Sequence, residues 1–319
     1  MSKITVIGGG TGSYTVLNGL KNYDIELASI VSTADSGGSS GSLRDEFGVL
    51  PPGDLRRCLV ALSGNRGDIW RRIFEYRFAG EKENNNLGNL IITALTKITG
   101  DLPGALDAVS DILEVKGTVL PATLDKSSLC AKMSDGQVII GETNIDVPSH
   151  DPSLKIEKVF LEPRAFAYKK AIETIGDSQL IAIGPGDLYT SIIPNLLVEG
   201  IAEAINKSQA KKVYVCNVMT KHGETDNFTA RNFVEQIEKY LQGKLDYVLI
   251  NSKRPSEEII KSYEAEKSFF VESDLVGENY QVISADLIDE MPEVKEQEKR
   301  RPLIRHDSEK LARALMELI

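Results

Sequence analysis

Four of the five residues from Gly8 to Gly12 are glycine, with Thr11 between Gly10 and Gly12. A run of that kind carries no side-chain chemistry of its own. It exposes backbone N–H groups, and at the start of a helix those groups and the positive helix end make a cradle for phosphate. A second cradle of the same type is written at Gly184-Pro185-Gly186-Asp187, with the hydroxyls of Thr190 and Ser191 a few residues on. A third polar stretch, Ser32 to Gly41, holds Thr33, Asp35, Ser36, Gly37, Gly38, Ser39 and Ser40. Its hydroxyls suit phosphate or sugar oxygens, and Asp35 stands where a ribose-reading carboxylate is expected. The first run is not a clean dinucleotide fingerprint, because Ser13 occupies the place of the third glycine in G-x-G-x-x-G starting at Gly8. It therefore argues for phosphate more firmly than for NAD.

Other residues could add to such a site. Asp54 is an N-cap candidate, and alternatively a second carboxylate that joins Asp35 on a magnesium ion or on the ligand. Arg56 and Arg57 sit poorly for the helix dipole, a cost that an anionic ligand could offset. Arg77 interrupts an aromatic patch. Among the asparagines of Asn84-Asn85-Asn86-Leu87-Gly88-Asn89, turn and cap chemistry suits Asn84, while the amides of Asn86 and Asn89 can both donate and accept toward a base or sugar. Asn217, Thr220, His222 and Glu224 cluster after one apolar run. His222 has no partner at a defining spacing and reads as a surface or hydrogen-bonding histidine. Glu142 reads as an exposed loop carboxylate.

The elements that must position these groups follow from periodicity. Lys3 to Ile7, Ile25 to Val31, Gln179 to Ile183, Val213 to Cys216 and Tyr247 to Ile250 have the apolar texture of buried parallel strands. Helical spacing begins at Ser13 with Tyr14, Val16, Leu17 and Leu20, and recurs through Leu55 to Leu62, Leu90 to Ile98 and Ala165 to Ile175. Asp307 or Ser308 caps a last helix. Between about 107 and 163 the texture shifts to short strands (Lys116 to Leu120, Leu129 to Met133, Gln137 to Ile140 and Ile156 to Leu161), a β-rich excursion from one α/β domain spanning 1–319. Past Ser273 the chain is charged and less periodic, and Glu293 to Arg301 reads as a solvated run.

The chain has 319 residues and a net charge of -10. That balance argues against nonspecific binding to nucleic acid or an anionic membrane, so an anionic ligand needs a local site. Cys58, Cys130 and Cys216 are widely spaced and form no C-x-x-C pair, the usage of a reduced cytosolic protein. The chain opens directly on a strand pattern, and no apolar run reaches membrane-span length, so a cytoplasmic protein is expected.

The succession GGGTG, TADSGGSSGSLR, PPGDLRRCLVALS, NLGNL, GPGDLYTSIIPNLLV, CNVMTKHGET and RHDSEKLA, in order from Ile4 to about Leu315, resembles the YvcK-type gluconeogenesis factors within the superfamily of CofD, the 2-phospho-L-lactate transferase. The resemblance implies a Rossmann-like three-layer α/β fold with a mostly parallel sheet, and a nucleotide-type ligand at the strand carboxyl ends. Its CofD branch implies a magnesium-dependent transferase that takes a guanosine diphosphate-linked lactate and a deazaflavin acceptor. Its YvcK branch implies a regulator that binds UDP-sugars, chiefly UDP-N-acetylglucosamine, and is needed for gluconeogenic growth and normal cell shape. The loop GGSSG, the stretch PPGDLR and NVMTKHGET match the YvcK side. Three positions depart from the family pattern: Ser36 replaces the second acidic residue after Thr33-Ala34, Asn85 stands where histidine is usual, and Asp187 stands for a common serine. The losses of a carboxylate and a histidine weaken the case for metal-dependent transfer and leave binding intact. On this reading Gly8 to Gly12 and Gly184 to Gly186 cradle the diphosphate, Thr33, Asp35 and Gly37 to Gly41 hold ribose or sugar, and Asn217 and Thr220 read base or sugar. A homo-oligomer and a regulatory protein partner remain open, and an NAD-binding protein is the weakest alternative.

Overall fold

A computed structural model describes residues 1–64, 68–78, 85–147, 151, 153–276, 279–289 and 304–319. In chain order the first half runs β1 (Lys3–Ile7), α1 (Gly10–Leu20), β2 (Glu26–Val31), α2 (Gly38–Phe47), α3 (Gly53–Ala61), α4 (Asp68–Glu75), α5 (Leu87–Thr99), α6 (Leu102–Leu113) and β3 (Thr118–Pro121). A small sheet follows, built from β4 (Ser128–Met133), β5 (Val138–Ile140) and β6 (Ile156–Glu162), with the short α7 (Glu142–Asp146) between β5 and β6. The parallel pattern resumes with α8 (Lys169–Gly176), β7 (Leu180–Ile183), a π-helical turn (Leu188–Ile192), α9 (Ile193–Leu196), α10 (Ile201–Lys207), β8 (Lys211–Val215), α11 (Ala230–Leu241) and β9 (Tyr247–Asn251). The chain closes with α12 (Glu257–Glu264), β10 (Gln281–Ala285), β11 (Ile288–Asp289), β12 (Arg305–His306) and α13 (Ser308–Met316).

Seven strands form one parallel sheet in the order β10-β9-β8-β7-β1-β2-β3. Its strands are apolar on both faces because helices cover both. Ile4, Val6, Leu180, Ala182, Val213 and Val215 face one layer, where α1, α3 and α13 pack. Ile7, Ile30, Ile181, Ile183, Tyr214 and Val248 face the other, with α9 and α11. The chain moves outward from β1 through β2 to β3, then returns to β7 and moves outward the other way. The two directions part between β1 and β7, the place where open α/β sheets leave a crevice beyond the strand carboxyl ends.

Several boundaries differ from the sequence reading. α1 begins at Gly10, three residues before the expected start, so Gly10 and Gly12 lie in the first helical turn and Gly9 is its N-cap. Gly38 to Gly41 are likewise the first turn of α2 and not part of an open loop. Glycine and serine are weak helix formers, so this helix is set by packing: a Cβ on Gly41 would collide with the Ser36 carbonyl, and Ser39 and Ser40 are buried. The small sheet spans Ser128–Glu162, narrower than 107–163, since 107–113 is helical and β3 belongs to the main sheet. The helix expected from Ala165 starts at Lys169. The seventh strand, β10, lies where the sequence looked unpatterned; it is an edge strand and only half buried. Asp307 caps α13 by accepting from the N–H groups of Glu309 and Lys310. Asn84 and the run from Glu293 to Arg301 lie outside the described residues. Among the described residues no helix is long and apolar enough to cross a membrane.

Candidate functional site

The crevice is lined by the ends of β1, β2, β7 and β8. At the end of β1 the backbone turns through Gly10, whose φ of +64° is a conformation that disfavours any side chain. Gly12 then packs on the second cradle: a Cβ there would collide with the Pro185 carbonyl, and one on Gly186 would stand 3.8 Å from the Gly9 carbonyl oxygen. The Ser191 hydroxyl lies 3.8 Å from the Cβ position of Gly10. The two glycine junctions, more than 170 residues apart, thus touch backbone to backbone across the β1–β7 switch point.

Two carboxylates stand beside the first cradle. Asp54 lies in the first turn of α3, after the N-terminal residue Pro52, so it is not the N-cap. It accepts the Gly10 N–H and faces Arg57, whose guanidinium donates to the Thr11 hydroxyl at 3.1 Å. Burial, and after it the charge of Asp35, push Asp54 up to about 6 against the pull of Arg57. Asp35 accepts the Gly37 N–H at 2.8 Å. Asp35 lies close enough for its charge to act on Asp54, and both offer hard oxygens of the kind magnesium takes together with ligand phosphates. Among the described residues no group of three or more His, Cys, Asp or Glu is arranged to hold a metal ion. A magnesium ion fits here only with phosphate oxygens completing its shell.

Other expected ligand groups are engaged elsewhere. Asn89 is buried; its Oδ1 accepts from Arg56 Nε at 2.9 Å, and its Nδ2 donates to Ser39 Oγ at 3.3 Å and Ser40 Oγ at 3.4 Å. Arg56 also donates to the Phe74 carbonyl at 2.8 Å, so it braces α3, α4 and α5 instead of meeting an anion. Asn86 is the N-cap of α5, its side chain accepting the Asn89 N–H. Arg77 forms a backbone bridge with Asn86. Thr33 is buried at the end of β2. Thr220 exchanges hydrogen bonds with the Phe269 backbone through its own N–H and hydroxyl, at 2.7 Å and 2.8 Å. Asn217 donates to the Gly186 carbonyl at 2.8 Å and so supports the second cradle from β8. His222 has a partner after all, Asp226, 2.7 Å from its Nδ1.

The sequence reading missed the groups that reach the crevice from afar. Glu142 is not an exposed loop residue. It opens α7 half-buried against the loop after β2, where it accepts the Ser36 N–H. The Thr143 N–H donates to the Ser36 hydroxyl at 3.0 Å. Burial, then the charges of Asp35 and Asp146, push Glu142 up to about 7. Lys221, in the segment after β8, is bonded to Asp146, lies 3.1 Å from Asp187 Oδ2 and 2.8 Å from Glu224 Oε1. Burial opposes its charge, yet the three carboxylates outweigh burial and hold it protonated well above the usual lysine range. Glu224 is fully buried, accepts no aligned hydrogen bond, and is pushed up to about 8 by that burial. The only hint of these contacts in the sequence was the i, i+3 spacing of Lys221 and Glu224.

A family model described as 2-phospho-L-lactate transferase CofD matches residues 4–288. The chain belongs to the CofD family, among its gluconeogenesis factors. It is 43% identical to a putative gluconeogenesis factor of Thermotoga maritima over 97% of each chain. It is 41% identical to the gluconeogenesis factor of Bacillus subtilis over 99% of this chain and 98% of that one. The crystal structure of a UPF0052 family member from Bacillus halodurans superposes with a TM-score of 0.90 at 37% identity, covering 99% of this chain and 100% of the other. The CofD-type fold expected from the motifs is thus shown.

Proposed function

We propose that this CofD-family chain is a nucleotide-sugar binding regulator of gluconeogenic growth and cell shape, with UDP-N-acetylglucosamine as the type of its ligand. The observation that carries the reading is the contact between the two glycine cradles: Gly8–Gly12 and Gly184–Gly186 place bare backbone on both sides of one switch point. That geometry suits a diphosphate, which needs N–H donors on two sides, better than a single phosphate. The Ser191 hydroxyl lies beside it for a ribose or sugar oxygen. The names of its relatives as gluconeogenesis factors support the regulatory role. Calorimetric titration with UDP-N-acetylglucosamine tests it. Wild-type protein is expected to bind, and Gly10→Val, which forces a β-branched residue into φ +64°, to lose the binding. Absence of binding by the wild type would sink the proposal.

The closeness of Asp35 to Asp54 favours one second reading, a phosphoryl-type transferase like 2-phospho-L-lactate transferase. Magnesium held by these carboxylates and the ligand's phosphates would supply neutralisation of charge developing on the diphosphate. This chain's own part would be to aim the N–H groups of Gly9, Thr11 and Gly12, while Gly10 holds Asp54 in place and the Gly8 N–H is taken by the Ile30 carbonyl. Magnesium-dependent turnover of a nucleotide-diphosphate donor would establish it, and a flat time course over a panel of donors and acceptors would exclude it.

A further inference from the structure

The short helix α7 comes from the small sheet, to which Asn144 ties it through the Ile140 carbonyl, yet its other three polar side chains are fastened to two loops of the main sheet. Glu142, at its start, accepts the Ser36 N–H in the loop after β2. Thr143 bonds the Ser36 hydroxyl. Asp146, at its end, takes the Lys221 ammonium after β8 and sits 3.5 Å from the Thr190 hydroxyl beyond the second cradle. Ile145 is the one buried side chain of α7. The groups that α7 engages at its two ends, a backbone N–H, an ammonium and hydroxyls, are those an anionic ligand would recruit.

We propose that α7 is a built-in anion mimic: the Glu142 and Asp146 carboxylates occupy the Ser36 and Lys221 donors that the ligand's charged groups take on binding, so that ligand and α7 compete and binding releases α7. The inference rests on the nucleotide-diphosphate reading and adds a means of signalling occupancy. Three features favour exchange over a permanent structural tie. Lys221 faces three carboxylates, Asp146, Asp187 and Glu224, so it can leave Asp146 for a phosphate while Asp187 and Glu224 still hold it in place. Glu224, buried with Oε1 2.8 Å from the Lys221 ammonium and Oε2 without an aligned hydrogen bond, is a ready partner to which Lys221 can shift when Asp146 lets go. Glu142 lies within the repulsive field of Asp35 and Asp146, so its contact with Ser36 is opposed by its neighbours and yields at low cost.

Competition has a sign that a purely structural tie lacks. Asp146→Asn keeps the side-chain shape and removes the charge that competes, so it is expected to bind UDP-N-acetylglucosamine about fivefold or more tighter than wild type. Glu142→Gln should shift affinity the same way. Lys221→Met, which removes a donor shared by α7 and ligand, should weaken binding at least about tenfold. In the wild type, amide hydrogen exchange over 142–147 should speed up on adding ligand, while the rest of the crevice slows. Tighter binding by both carboxamide variants with faster exchange in α7 supports the mimic. Unchanged or weaker binding by Asp146→Asn and Glu142→Gln, or slower exchange in α7 when ligand binds the wild type, overturns it and leaves the ligand reading standing. No binding by the wild type or by any variant removes the ligand reading and the mimic together.

Discussion

At the scale of single residues the crevice is defined by atoms it lacks and by charges crowded together. The glycine cradles need bare backbone, whereas Asp54 sits among like charges. Its folded pKa of about 6 lies above the ordinary carboxylate value, so the native state holds this proton more tightly than the unfolded chain does. The resulting stability is fully present below about pH 4 and is lost as pH rises through about 6, where the native state must carry the repelled charge. Asp54→Asn removes the charge and keeps an acceptor for the Gly10 N–H. The variant is expected to melt higher than wild type at pH 8, by the equivalent of about 1–2 kcal/mol, and to match it near pH 4. Thermal denaturation followed across that range checks the slope. A lower melting temperature for the variant at pH 8 would show that the carboxylate is held by Arg57 more than it is repelled by Asp35.

At the scale of elements, what could be read from the chain was what the chain writes contiguously. β1, its glycines and α1 are consecutive, so strand texture, turn and helix spacing together announced a phosphate cradle. The same held at Ile183, Gly184 and Gly186. By contrast α2 is a helix because Ser39, Ser40 and Gly41 pack against Asn89 and Ser36, and no local propensity reports that. The reach of Glu142 to Ser36, and of Lys221 back to Asp146, spans large sequence separations, and their meeting depends on how the small sheet folds over the main one. Asn89 shows the reverse error, a polar residue near the crevice that ties elements together and is not free for a ligand. Its amide joins α2, α3 and α5 through Arg56, whose buried guanidinium is pulled down to about 10 by desolvation. Asn89→Ala leaves Arg56 Nε without its acceptor and should destabilise the fold by about 2–3 kcal/mol, read from urea denaturation. Wild-type stability combined with lost ligand binding would return Asn89 to the site.

At the scale of the whole molecule the chain of net charge -10 must admit an anion into a crevice edged by Asp35, Asp54, Glu142, Asp146, Asp187 and Glu224, with Lys221 and Arg57 as the facing cations. Coulomb repulsion at this density would defeat the backbone cradles unless some carboxylates are neutral or a cation accompanies the ligand. Asp54 near 6 and Glu224 near 8 are placed to be neutralised by protons close to neutral pH. Adding a diphosphate raises those values further, so binding must draw protons from solution. Calorimetry of UDP-N-acetylglucosamine in EDTA, in two buffers of different ionisation enthalpy at pH 7.5, should therefore show net proton uptake. Affinity should rise as pH falls from about 8 to about 6, because each protonated carboxyl removes one repulsion and the cradle N–H donors do not titrate. Saturating magnesium should flatten that dependence, since a divalent ion at Asp35 and Asp54 supplies the same neutralisation without protons. Proton release on binding, or affinity that rises with pH, would mean that the carboxylates stay charged and the cations carry the anion alone.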